Sequence, residues 1–146
     1  MIDYYKCQYH FNASHSFDGN KEQAHSHTFT MILCIRNLSG RDMDFKRLDR
    51  MIEIFLGRYE GLYLNELSCF VGNASIEAIG DYFYEQLKIK LSELNAELMQ
   101  LDIGDTPLSV YQVCDRILLP TVNEKRSREN LEAILFYKKQ MPDQKK

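Results

Sequence analysis

The stretch FNASHSFDGNKEQAHSHTF, residues Phe11–Phe29, joins two segments in which apolar and polar residues alternate. Apolar side chains occupy the odd positions from Tyr5 to Ala13 on one side of it and from Phe29 to Ile35 on the other. A period of two is typical of a half-buried strand. Because the connection is short, it favours antiparallel pairing. The stretch therefore predicts that the fold begins with two antiparallel strands.

Two helices are predicted after these strands. Apolar residues recur at steps of three and four over Phe45–Tyr59, with Asp44 as N-cap, which predicts a first helix that ends near Gly61. Ser75 precedes a second such pattern over Ile76–Leu98, which predicts a longer helix. Both helices have one apolar face, so they are expected to cover the same sheet.

The C-terminal part predicts two more strands, at Pro107–Leu118 and Leu131–Lys138, and a disordered tail at 140–146. With 146 residues, the chain is the size of one domain, and we assign that domain to residues 1–139. The order β-β-α-α-β-β predicts the α+β class, with a four-stranded antiparallel sheet and two helices on one face.

Composition excludes several classes of partner. The net charge is −3, which argues against nucleic acid as a partner. No apolar run approaches the roughly 18 residues of a membrane-spanning helix, and the N-terminus has no signal-peptide pattern. We therefore expect a cytoplasmic protein without a membrane partner. The cysteines form no CxxC pair and are expected to be reduced thiols: Cys7, Cys34, Cys69 and Cys114.

Three histidines share a face near the ends of the first two strands. His15 extends the odd series of the first strand, and His25 and His27 share the parity of Phe29, whereas His10 falls on the polar face. Three neutral imidazoles leave zinc one open position, as in catalytic sites. The alternative is that these are solvated or hydrogen-bonded histidines, because a His-x-His pair alone is weak evidence for metal.

Five short motifs follow one another along nearly the whole chain: FNASHSF, HSH, DMDFKRL, YLNEL and NASIEAI. In this order they resemble the landmarks of the 6-pyruvoyltetrahydropterin synthase and 6-carboxytetrahydropterin synthase family. The resemblance implies a tunnelling fold (T-fold), whose subunits join their sheets into a barrel, and a homotrimer or homohexamer. It also implies that His15, His25 and His27 bind Zn²⁺ and that the ligand is a pterin.

The chain departs from the family at the positions that carry the usual chemistry. Lys21 stands where members commonly have a cysteine base, and Glu60 and Gly61 stand where they have an aspartate and a histidine. Lys21, Glu22 and Glu60 are therefore the candidate catalytic residues. The segment from Glu22 to His27 is similar to the E-x-x-H-G-H arrangement of members that use a glutamate, which makes Glu22 the leading candidate base.

Acidity also favours Glu22 over Lys21. An ordinary lysine, with a pKa near 10.4, costs about 4 to 5 kcal/mol to deprotonate at pH 7, whereas an ordinary glutamate is already ionised. Lys21 would need strong desolvation, or it has another task such as pairing with a substrate phosphate. The alternative for Glu22 is a solvated loop carboxylate without a catalytic role.

The family anchors the pterin ring with a glutamate on the third strand, and Gln112 in LSVYQV is matched to it here. An amide offers one acceptor and one donor, so it complements the N–H and C=O edge of a lactam rather than two N–H groups. The ligand is then a pterin bound in another register or a related lactam heterocycle. The alternative is that Gln112 only bonds to neighbouring backbone.

These observations predict a zinc-dependent enzyme that acts on the side chain of a dihydropterin, either dihydroneopterin or its triphosphate. Glu22 would be the base that starts cleavage of that side chain. The alternative is a catalytically inactive relative that binds zinc and a heterocycle in a sensor or assembly role. An assembly domain without metal ranks last, and it would be supported by the absence of zinc and of affinity for pterins.

Overall fold

The computed structural model describes residues 3–115, in which two strands are followed by two helices and two more strands. The long elements are β1 (Tyr5–His15), β2 (His25–Asn37), α1 (Phe45–Gly57), α2 (Ile76–Ser92), β3 (Ala96–Thr106) and β4 (Ser109–Val113). Short 3₁₀ turns occupy Lys21–Gln23, Leu64–Glu66 and Ser68–Phe70. The predicted order β-β-α-α-β-β is confirmed.

The four strands form one antiparallel sheet in the order β1-β2-β3-β4. β1 and β2 pair along their whole length, from Tyr5 opposite Ile35 to His15 opposite His25, so the predicted antiparallel pair is confirmed. Alternation places one set of side chains on the face covered by the helices, and these are fully buried: Phe11, Phe29, Met31, Leu33 and Ile103.

Each helix begins at a side-chain cap and buries one stripe against the sheet. The Asp44 side chain accepts a hydrogen bond from the Arg47 N–H, and the Ser75 side chain accepts one from the Ala78 N–H. The buried stripes comprise Leu48, Ile52 and Phe55 of α1 and Ile79, Phe83, Leu87 and Leu91 of α2.

No helix within residues 3–115 is long and apolar enough to cross a membrane.

Both helices are shorter than predicted. α1 ends at Gly57 rather than near Gly61, because the chain turns back within Arg58–Leu62 and Gly61 adopts a left-handed φ of 73°. α2 ends at Ser92 rather than at Leu98, because Asn95, with a φ of 53°, terminates the helical path. Leu98 continues the three-and-four spacing of α2 but lies in β3, so its spacing was misleading.

The prediction of the third strand was therefore wrong. The third strand is β3, most of which is buried on both faces, and its apolar residues are nearly continuous rather than alternating. Part of the segment predicted as the third strand is instead β4. Leu131–Lys138 and the tail 140–146 lie outside the described residues, so the domain boundary 1–139 stays a prediction. The four cysteines form no disulfide, as predicted.

Gly104 of β3 lies where the chain leaves almost no space for a side chain. A Cβ added there would lie 2.8 Å from the Ser109 carbonyl oxygen and 3.1 Å from that of Thr106. We therefore expect Gly104→Ala to lower the free energy of unfolding by about 1 to 3 kcal/mol, as measured by urea denaturation. Gly57→Ala is the matched control, because an added Cβ meets nothing within 4 Å. Equal stability of the two variants would contradict the prediction.

Candidate metal centre

Three histidines lie together at the end of the sheet where β1 ends and β2 begins. His15 is paired with His25 in the β1–β2 register, and His27 with Ala13. The parity of the strands places all three on the sheet face that carries the core residue Phe29. His10 has the other parity and is exposed, with its Nδ1 3.1 Å from Thr30 Oγ1.

The rings of His15 and His27 are spaced as two ligands of one ion would be. Their centroids are 5.2 Å apart. Two imidazoles that each bind a tetrahedral zinc through one nitrogen would have centroids about 5 Å apart. The rings of His25 and His27 are somewhat farther apart, at 6.1 Å, and the His25 side chain is exposed. The geometry is therefore tightest for His15 and His27.

Asp105, near the end of β3, adds a carboxylate to this pair. Its Oδ2 lies 3.4 Å from His15 Nε2, and one ligand atom from each of His15, His27 and Asp105 lies within 4.8 Å of the others. The three residues are able to hold a metal ion. Asp105 was missed in the sequence because β3 was not recognised, and without that strand nothing connects Asp105 to the histidines.

The main chain fixes the orientation of His15. Its Nδ1 lies 2.7 Å from the carbonyl oxygen of Ala74, so Nδ1 carries the proton and donates the bond. In the neutral imidazole Nε2 is then the nitrogen able to bind a metal ion, and it lies 3.4 Å from Asp105 Oδ2. A histidine ligand held in this way by a backbone carbonyl is common in metal sites. Ala74 directly precedes the N-cap of α2, so the start of that helix orients the ligand.

Lys21 and Glu22 lie in a 3₁₀ turn of the loop between β1 and β2. Lys21 Nζ is 3.1 Å from Glu66 Oε1 and 5.8 Å from the centre of the Tyr63 ring. Lys21 is therefore paired with a carboxylate rather than with the histidines. The Glu22 N–H donates to the Asn20 side chain, while the Glu22 carboxylate is exposed and makes no hydrogen bond with residues 3–115.

Glu60 is bound to the outer edge of β1 rather than to the histidine cluster. Its carboxylate accepts hydrogen bonds from the Asn12 N–H at 2.8 Å and the Asn12 side-chain amide at 2.9 Å. Asn12 has the opposite strand parity to His15, so Glu60 is held on the other side of β1. The Gly61 N–H donates to the Asn12 carbonyl at 2.7 Å, which continues this attachment along the edge.

The two bonds from Asn12 lower the pKa of Glu60 below its ordinary value of 4.5. A depressed folded-state pKa stabilises the fold above the unfolded-state pKa, and this contribution is lost as the pH falls through the lower folded value. We expect Glu60→Gln to have a lower free energy of unfolding than the wild type at pH 7. The difference between the two proteins should become smaller below about pH 4.5. Urea denaturation between pH 7 and pH 3 measures this.

Glu53→Gln is the control for Glu60→Gln, because Glu53 is exposed and makes no hydrogen bond with residues 3–115. It should keep the wild-type pH profile. A constant difference between Glu60→Gln and the wild type at every pH would show that the carboxylate charge has no part in the attachment.

Gln112 lies apart from the histidines. It is on β4, the fourth strand, and is exposed. The register places it opposite Asp102, which is opposite Ile32, so Gln112 belongs to the face that the helices do not cover. His27 has the other parity in β2. The assignment of Gln112 to the third strand was therefore wrong, although its proposed contact with a ligand stays a prediction.

A small cavity adjoins His27 on the uncovered side of the sheet. Its volume is about 260 Å³, close to the lower end of the range of roughly 300 to 1,000 Å³ for small-molecule sites. Hydroxyl and amide groups from facing residues of β1 and β2 line it, together with a glycine: Asn12, Ser14, Ser26, Thr28 and Gly61.

Several solved structures share the fold of this chain. The chain is similar to 6-pyruvoyl tetrahydropterin synthase from Caenorhabditis elegans, with 18% identity, a TM-score of 0.65 and coverage of 80% of this chain and 97% of that one. An uncharacterized protein from Wolinella succinogenes is similar at 14% identity and a TM-score of 0.60, with 80% and 99% covered. The predicted tunnelling fold is confirmed.

A Plasmodium vivax 6-pyruvoyltetrahydropterin synthase, studied as a mutant in which a catalytic glutamate is replaced by cysteine, is also similar. The identity is 16% and the TM-score 0.59, over 80% of this chain and 99% of that one. Comparison with curated proteins gives no match. The family model described as 6-pyruvoyl tetrahydropterin synthase matches residues 4–115. The chain belongs to the 6-pyruvoyl tetrahydropterin synthase family.

Proposed function

We propose that this protein is a zinc-dependent enzyme that acts on the side chain of a dihydropterin. The observation that carries the proposal is the convergence of His15, His27 and Asp105 at the end of the sheet, within 4.8 Å of one another. The imidazole nitrogens suit zinc, and a carboxylate beside the ion is placed to bind the substrate. Family membership supports a pterin as the ligand.

The ligands proposed for Zn²⁺ are His15, His25 and His27. The 5.2 Å ring separation of His15 and His27 fits a shared ion, and the exposed His25 ring lies 6.1 Å from that of His27. When bound, zinc supplies a Lewis acid that polarises oxygen atoms of the substrate side chain. The chain's contribution is to present Nε2 of His15 to the site, because Nδ1 donates a hydrogen bond to the Ala74 carbonyl oxygen.

For Asp105 we propose the ring-binding task that the sequence resemblance gave to Gln112. The family's anchor is an acidic residue on the third strand, and the third strand here ends with Asp105 and Thr106. A carboxylate accepts two hydrogen bonds from the adjacent N–H and amino groups of a pterin, which the amide of Gln112 does not match. If Asp105 is instead a zinc ligand, it fills the position that substrate would need.

Glu22 is the proposed base. It lies three residues before His25, its carboxylate has no partner within residues 3–115, and a glutamate is the catalytic residue in the similar Plasmodium vivax synthase. Glu22 would take the proton of the hydroxyl on the second side-chain carbon, and the bond between the first and second side-chain carbons would break. The second carbon would leave as an aldehyde, and the carbon that stays on the ring would take a proton to give a hydroxymethyl pterin. Lys21 is less suited, because Glu66 already holds its ammonium group.

A catalytically inactive relative that binds zinc and a heterocycle, as a sensor or assembly partner, is the second candidate. Asp105 lies among the possible metal ligands, and this favours the inactive relative, because four protein ligands would close the site as in structural zinc centres. The pairing of Lys21 with Glu66 and the presence of Gly61 also favour it, since neither position retains the usual catalytic group.

We also propose a homotrimer or homohexamer in the cytoplasm. The segment from Glu60 to Tyr63 covers the outer edge of β1 only near Asn12 and Ser14. The rest of that edge, toward Tyr5, has no strand partner within residues 3–115. Open edges of this kind are normally covered by another chain or protected locally, and sedimentation velocity will measure the assembly.

The experiment that tests the function is mass spectrometry of products after zinc-loaded protein is incubated with 7,8-dihydroneopterin or with its triphosphate. A hydroxymethyl or pyruvoyl product, absent with the His27→Ala variant, would support the enzyme and identify the reaction. No product from protein that holds stoichiometric zinc and binds the pterin would support the inactive relative. No zinc and no pterin binding would refute both.

A further inference from the structure

A groove between α1 and α2 gathers a large share of the positive charge of the described region. Its volume is about 280 Å³, and each charged residue that lines it is a cation: Arg47, Arg50, Arg58 and Lys90. Residues 1–115 contain ten Lys and Arg against seventeen Asp and Glu. Four of the ten cations of an acidic region therefore border a single groove, which we call the cationic groove.

None of these four cations forms an ion pair within the described part of the chain. The lysine and arginine side chains that form ion pairs among residues 3–115 are Lys21, Arg36 and Lys88. Cations that border one groove give it a positive potential, which raises the local concentration of anions. The groove is therefore electrostatically suited to an anionic ligand from outside residues 3–115.

Interaction with the helix dipoles explains the positions of only two of the four cations. Arg58 is the C-cap residue of α1 and Lys90 lies in the last turn of α2, where cations stabilise a helix. Arg47 is the third residue of α1 and Arg50 follows one turn later, while the first turn of α1 has no acidic residue. Arg47 in the first turn opposes the dipole, and Arg50 in the second turn lies beyond its reach, so the dipole gives neither arginine a stabilising task.

The floor of the groove is apolar. Met51, Ile54 and Leu94 line it between the cations, and Ile54 is 58% exposed although it is a large aliphatic residue. An apolar floor bordered by cations matches a ligand with an apolar side chain in its centre and carboxylates on either side. A helix laid into a groove between two helices presents its side chains in this way.

We propose that the cationic groove binds an acidic peptide segment of a partner protein, anchored by at least one large apolar side chain. Arg47 and Arg58 are separated by about 16 Å along the axis of α1, at 1.5 Å per residue. A segment of about eleven helical residues spans that length. Arginine suits this role because its guanidinium binds a carboxylate through two parallel hydrogen bonds.

Other occupants fit the groove less well. Single-stranded nucleic acid needs exposed aromatic rings for stacking, and the aromatic residue of the lining, Phe55, is 1% exposed. A membrane surface does not fit a concave groove. The chain's own residues 116–146 carry eight Lys and Arg against four Asp and Glu, so they have the same sign of charge as the groove.

The test uses the full-length protein and a phage-displayed library of random 16-residue peptides. Selection on the wild type should enrich sequences with several Asp or Glu residues around a large apolar residue. By fluorescence anisotropy, an enriched peptide should bind the Arg47→Glu/Arg50→Glu variant at least tenfold more weakly than the wild type. Lys6→Glu/Arg41→Glu makes the same change in net charge elsewhere and should leave the affinity within twofold.

Enrichment of neutral or basic peptides, or equal weakening by both double variants, would overturn the proposal. So would failure to enrich any peptide on the wild type beyond the level seen with Arg47→Glu/Arg50→Glu. Self-association in sedimentation velocity that only Arg47→Glu/Arg50→Glu abolishes would identify a second copy as the occupant instead. Binding to phosphatidylserine vesicles with the same dependence on Arg47 and Arg50 would identify a membrane.

Discussion

Replacing His27 with alanine is expected to lower the affinity for zinc by about a hundredfold or more. Removing groups that merely orient a metal ligand already costs about 10- to 100-fold in metal affinity, and His27 belongs to the proposed ligand set itself. It lies within 4.8 Å of the other possible ligand atoms of His15 and Asp105. Competition with a chromophoric chelator measures the affinity, and elemental analysis gives the stoichiometry.

His10→Ala is the matched control for His27→Ala. His10 is also a histidine of the β1–β2 pair, but it is exposed and lies on the opposite face, where it contacts Thr30. Its removal should leave zinc affinity unchanged. Equal affinities of His27→Ala and the wild type would exclude His27 as a ligand and would remove the basis of the proposed function.

Two further substitutions determine the third ligand. If His25 completes the site, His25→Ala should weaken zinc binding strongly, while Asp105→Asn should weaken pterin binding and leave zinc affinity nearly unchanged. If Asp105→Asn instead weakens zinc binding strongly and His25→Ala does not, Asp105 is the third ligand, and this result would favour the inactive relative. The carboxylate and amide of Asp105→Asn have almost the same size, so the fold should be unaffected by this change.

Replacing Glu22 with glutamine is expected to reduce turnover of the dihydropterin by about 10²- to 10⁴-fold, the usual effect of losing a general base. An amide has the shape of the carboxylate but does not accept the proton. Because Glu22 is exposed and its side chain bonds to nothing within residues 3–115, zinc content and stability should not change. Turnover and zinc content are therefore measured on the same preparation.

Gln23→Ala is the control for Glu22→Gln, since Gln23 is an exposed neighbour in the same 3₁₀ turn. It should retain wild-type turnover. If Glu22→Gln were as active as the wild type, Glu22 would be a solvated loop carboxylate, and the base would have to be sought elsewhere. Equal loss in both variants would indicate that the loop conformation, rather than the carboxylate, is needed.

The first half of the fold could be predicted from local pattern because its pattern is unambiguous. In β1 and β2 one face is buried and the other is solvated, so residues such as Phe11 and Asn12 differ sharply in polarity. Asp44 and Ser75 bond within a few residues of themselves, and this made both helix starts predictable. The parity of His15, His25 and His27 follows from the same alternation.

The second half could not be predicted in this way. β3 is buried on both faces along most of its length, so its residues lack alternation, and Leu98 happens to continue the spacing of α2. The left-handed backbone at Asn95 is what separates α2 from β3. Once β3 was missed, Gln112 was assigned to the wrong strand and Asp105 was not considered.

By itself the sequence determined the order of the elements, the paired strands β1 and β2 and the face on which the histidines lie. Each of these features depends on residues close together in the chain, because the spacing of apolar residues indicates which face of a helix or strand is buried. The tertiary structure alone brought Asp105 to His15, paired Lys21 with Glu66 and attached Glu60 to Asn12. These contacts join residues about 45 to 90 positions apart, and no local spacing encodes them because chain reversals bring such residues together.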